Sequence, residues 1–104
     1  MRTEVPVPAT DRVSIDDDVA VLTEQVRALR ELGQRAQVED VQIYDLSIRW
    51  GTALAGRLRR LAYYYGRGVL DDDAEHRLAQ VCDDLRSVAH LVERFDLARP
   101  DLPT

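Results

Sequence analysis

All fourteen basic residues of this 104-residue chain are arginine, and one of them, Arg57, falls where a charge is expensive. On a helical wheel Arg57 lies inside the apolar arc of the stretch Val41 to Gly68. It is one turn from Ala53 and Leu61, and two turns from Trp50 and Tyr64. A guanidinium buried there without a partner costs several kcal/mol, so it must find a carboxylate, stack on a ring or hold a ligand. Three chemistries are open to it. Arg57 pairs with an acid from a neighbouring helix, or snorkels to the rim. Alternatively it binds an anionic ligand or a partner's carboxylate, with Trp50, Tyr64 and Tyr65 as walls. The third is a nucleic-acid surface of Arg49, Arg59, Arg60 and Arg67 beside Tyr63, since cations interleaved with aromatic rings suit a single strand.

Charge separates these. Residues 46–70 carry five arginines and no acid, while the whole chain is at −5. The remainder therefore stands at −10, which disfavours a general nucleic-acid or anionic-membrane binder. Segregation of charge within one fold accounts for the pattern, so nucleic acid is not the expected partner.

Other chemistry is poorly supplied. Without lysine there is no Schiff-base or P-loop lysine. His76 and His90 fall opposite the apolar seam of their helix. His90-Leu-Val-Glu93 reverses the order of the Glu-x-x-His motif, and no second carboxylate–histidine pair exists. Cys82, alone in the chain, sits beside the seam as a small inert thiol and admits neither an intrachain disulfide nor a CxxC motif. Ser14, Ser47 and Ser87 lack the context of an activated nucleophile. Gly66-x-Gly68 comes after no strand, and Asp71 to Asp73 would repel a phosphate at the helix start beyond it. No metal, no cofactor and no catalytic set is expected, and the expectation is a non-enzymatic protein; the alternative is a small helical ligand-binding protein or enzyme that uses Arg57 to bind an anionic group.

The elements that position these residues can be read from spacing. Residues 1–13, with Val-Pro-Val-Pro, suggest an extended arm. Ser14 has the position of a helix cap, and Asp16, Asp17 and Asp18 place negative charge in the first turn. Ile15, Val19, Leu22, Val26, Leu29, Gly33 and Ala36 then recur at heptad spacing. A break is expected between Gly33 and Asp40, with Asp40 capping the second helix; an unbroken helix over 16–66 is the alternative.

The second helix has the wider apolar arc. Ile43, Leu46, Trp50, Ala53, Leu54, Leu58, Leu61, Tyr64 and Tyr65 form its face, and Tyr44, Ile48, Gly51, Ala55 and Ala62 extend it. So broad an arc predicts a helix sandwiched between two neighbours, approached closely at Gly51, Ala53, Ala55 and Gly56. Gly66 to Gly68 ends it. A third helix starts within Asp71 to Asp73, and its seam of Ala74, Leu78, Val81, Leu85, Val88, Val92 and Phe95 runs to Arg99-Pro100.

These patterns predict an all-α fold: an antiparallel three-helix bundle over 14–97, with a loose tail over 98–104. The runner-up is a long helical hairpin that completes its core by dimerising. The expected function is a small helical protein-interaction module, an adaptor or regulatory subunit with coiled-coil-like seams. It is expected to associate with itself, as a dimer, or with another protein, through leftover apolar residues such as Val21, Leu32 and Leu91. Neither a signal peptide nor a membrane-length apolar run is present, which predicts a cytoplasmic protein without a membrane. Exclusive use of arginine points to a high-GC bacterial or archaeal genome.

Overall fold

A computed structural model describes residues 13–103; all but the last residue of the arm expected over 1–13 lies outside that range. The described residues form three antiparallel helical rods and no strand: α1 (Asp16–Gly33), a second rod, and a third. The second rod runs through α2 (Asp40–Ala53), a π turn (Leu54–Leu58) and α3 (Arg59–Gly66). The third is α4 (Asp72–Ser87) and then α5 (Ala89–Arg94). This is the expected three-helix bundle. The backbone of α1 lies close to α2 and the π turn, and also to α4 and α5.

Ile15, not Ser14, occupies the cap position of α1, and no side chain caps that end. Ile15 is buried in the core, so apolar burial fixes the residue that a polar cap would need. Leu22, Val26 and Leu29 carry the buried stripe onward. Ala36, expected to extend it, is exposed in the connection after the helix.

The break after Gly33 is made by a side chain from the far end of the molecule. Arg94 of α5 donates from Nη1 to the Gly33 carbonyl at 3.0 Å and from Nη2 to the Arg35 carbonyl at 2.7 Å. A cation thus satisfies carbonyls that the helix end leaves without partners. Gly33 leaves room for a close contact: a Cβ there would lie 2.7 Å from both methyl carbons of Leu91, which would have to move. Leu91, expected as spare surface, is therefore core. Val21 and Leu32 are half-buried against the same core.

Glu39 rather than Asp40 holds the cap position of α2, and its N–H donates to Gln42 Oε1 at 3.4 Å. The helix then passes without a cap into the π turn. A π turn takes more residues per revolution than an α turn, so every side chain after it is rotated relative to a uniform wheel. Leu46, Trp50, Ala53, Leu58 and Leu61 are buried, while Ile43, Leu54 and Tyr64 are partly so. Gly68 takes a left-handed φ of 68°, and Val69 N–H and Gly68 N–H return to the Tyr64 and Tyr65 carbonyls.

Asp71 caps α4, its carboxylate accepting from the Ala74 N–H at 2.8 Å. The third rod is interrupted at Val88, where the Ser87 hydroxyl donates back to the Asp84 carbonyl at 2.6 Å, a bond that bends helices. It stops earlier than Arg99-Pro100. Asp96 adopts φ 54°, and the Leu97 N–H bonds the Val92 carbonyl at 2.9 Å, six residues closing the end. Leu97 is buried, Trp50 Nε1 donates to the Ala98 carbonyl at 2.7 Å, and Leu102 packs on the core. The segment expected to be loose thus lies along the bundle at least as far as Leu102.

Candidate functional site

Arg57 sits in the π turn, and its partner is Asp18, in the first turn of α1. The Asp18 side chain is 0% exposed. Arg57 Nη1 lies 3.2 Å from its Oδ1, and Arg60 Nη1 lies 2.5 Å from its Oδ2. Both arginines stay about two-fifths exposed, with side chains at 41% and 42%. Arg60 also stacks over Tyr64, 5.1 Å from the ring centre. Its guanidinium is held above the ordinary arginine range, by the Tyr64 side chain first and by the Asp18 carboxylate as well. Asp16, two residues earlier, pairs with Arg77 of α4 at 2.5 Å. The acids of one helical turn therefore tie α1 to both neighbouring rods.

The residues expected to surround Arg57 are not brought together. Trp50 is fully buried and committed to Ala98, Tyr64 lies under Arg60, and Tyr65 is exposed. A groove of about 410 Å³ beside Arg57 is lined instead by Val21, Gln25, Ile48, Arg49, Thr52 and Gly56, among others. Gln25 Oε1 is buried with no hydrogen-bond partner among the described residues. Of the expected basic surface, Arg49, Arg59 and Arg67 are exposed, Arg67 lying 5.9 Å from the Tyr63 ring centre. Arg60 belongs to the Asp18 site as well.

The second feature is a face that no described residue covers. Val41 is 60% exposed, Tyr44 64%, Ile48 51% and Tyr63 60%, all on the second rod. Spacings of three and four residues put the first three in one stripe of α2. These include side chains that the wheel assigns to a neighbour inside the bundle. Among the described residues these side chains stay exposed, outside the buried core. Gly51 and Gly56 show the same thing: a Cβ at either meets no described atom within 4 Å. They are not close-packing positions among the described residues. Two grooves flank that ridge, the one beside Arg57 and one of about 470 Å³ lined by Leu54, Ala55, Leu58, Arg59, Arg99 and neighbouring residues.

Among the described residues no group of three or more histidine, cysteine or acidic side chains is arranged to hold a metal ion. No helix among them is long and apolar enough to cross a membrane. Comparison with known proteins returns no match: no family model, no curated protein and no solved structure is significantly similar to this chain.

Proposed function

We propose that this protein is a helical interaction module, an adaptor or regulatory subunit of the cytoplasm, that docks through the outward face of its second rod. The observation that carries this is the exposure of Val41, Tyr44, Ile48 and Tyr63 beside a core that closes without them. Burying one such side chain is worth about 1.5–3 kcal/mol, so a partner that covers the stripe gains substantially from it. The Asp18–Arg57–Arg60 cluster serves this reading by fixing the rod on α1. Hydroxyl-radical footprinting in host cells tests it. Tyr44 and Tyr63 are expected to react less in cells than in the dilute purified protein; equal reactivity would overturn the reading.

A second reading has its own observation. Arg49 and Arg57 line one groove, and two guanidinium groups beside one cavity suit an anionic group. Inorganic phosphate or sulfate would then raise the melting temperature of the native protein and leave that of Arg57→Met unchanged.

A further inference from the structure

We infer that the occupant of the outward face is a second copy of this chain, its second rod antiparallel to the first and crossing it near Thr52. This rests on the reading of the face as an interaction surface and names the partner. An isologous contact sets residue i of one copy on residue j of the other and repeats the contact in reverse. A helix that pairs with itself antiparallel must therefore be complementary to its own reversal.

The second rod meets that condition in three ways. One pair of its exposed apolar residues is symmetric: Val41 and Tyr63 stand eleven residues to either side of Thr52, and each is 60% exposed. An antiparallel pair brings Val41 of each copy toward Tyr63 of the other. Its charge is opposite at the two ends: Glu39, Asp40 and Asp45 precede Thr52, while Arg59 and Arg67, exposed and not paired with Asp18, follow it. Reversal places acid against base, whereas a parallel pair would stack like on like.

The third feature is the middle. Gly51, Thr52, Ala55 and Gly56 leave a low ridge where two rods can cross closely. Neither glycine is needed for packing among the described residues, since a Cβ at either meets no described atom within 4 Å. Each nonetheless costs about 1 kcal/mol in helix propensity. A close crossing by a second rod gives that cost a cause. An unrelated partner would have to reproduce the same succession of acid, small residues and base, which the second copy carries by identity.

Cysteine pairing tests both partner and direction. Val41→Cys and Tyr63→Cys are placed on separately tagged full-length chains; both sites are exposed, and Cys82 is fully buried, out of reach of the reaction. Under mild oxidation the mixed disulfide is expected to exceed the Val41→Cys self-product several-fold. Dominant self-pairing of Val41→Cys would overturn the antiparallel arrangement. Sedimentation of the native chain gives an independent readout: twice 11.8 kDa is expected at high micromolar concentration, and 11.8 kDa throughout would overturn the proposal. A monomer whose Tyr44 and Tyr63 are still protected in cells overturns only the identity of the partner. A monomer with both unprotected overturns the interaction reading as well.

Discussion

Asp18 and Arg60 meet at 2.5 Å across the packing of α1 on the second rod, and the carboxylate in that pair has no exposed surface. Arg57 approaches the other oxygen at 3.2 Å, so one buried charge is shared by two half-exposed ones. The arrangement tolerates the loss of either arginine better than the loss of both.

Arg57→Met and Arg60→Met, taken singly, should each lower stability by about 1 kcal/mol, because the remaining guanidinium still pairs Asp18. The double substitution leaves the carboxylate buried and alone and should cost roughly 3–5 kcal/mol. Urea unfolding of the four proteins in the cycle measures the excess. Additive losses would show that the arginines do not share the site.

The glycines should separate into two kinds. Gly33→Ala forces a methyl against Leu91, a tight contact that should destabilise by about 1–3 kcal/mol, with partial recovery on Leu91→Ala. Gly51→Ala and Gly56→Ala enter open space and should stabilise the dilute chain by roughly 0.5–1 kcal/mol each. Thermal unfolding distinguishes them by sign.

Asp96→Gly should raise stability by up to about 1 kcal/mol. Asp96 ends α5 in a left-handed conformation at φ 54°, where a side chain is strained and glycine is not. Unchanged or lower stability in chemical denaturation would mean that the Asp96 side chain contributes more than its backbone costs.

Trp50→Phe keeps most of the buried ring but removes the N–H that holds the Ala98 carbonyl at 2.7 Å. Ala98 is exposed, so water can take the donor's place and the loss is about 0.5–1.5 kcal/mol. Limited proteolysis should cut the segment after Leu97 faster in the variant than in the native protein.

Much of the fold is legible in the spacing of apolar residues. The heptad seams give α1 and α4, the glycine signal gives the left-handed end at Gly68, and Asp71 gives a cap. The π turn is not legible, because no residue in Leu54–Leu58 announces an extra residue per revolution, and a uniform wheel then misplaces the side chains beyond it. The uncovered part of the second rod is equally hidden. A wide apolar arc on the second rod implies cover over most of its circumference, but the arc does not say which part stays exposed, as Tyr44 and Ile48 do. For the site, the apolar setting of Arg57 shows that it needs a partner. Its identity as Asp18 is lost among three consecutive aspartates that all look like first-turn charges. Arg60 is obscured for the opposite reason, since on the wheel it lies with the solvent-facing arginines.

Tyr44 and Ile48 are either surface for a partner or part of the bundle's own stability. Sedimentation velocity and thermal unfolding of Tyr44→Asp/Ile48→Asp decide it together. The expected result is a variant confined to 11.8 kDa at concentrations where the native chain associates, with an unchanged melting temperature at dilutions where both are single chains. A native chain that never exceeds that mass, or a variant that loses its fold when dilute, would contradict the interaction surface proposed for the second rod.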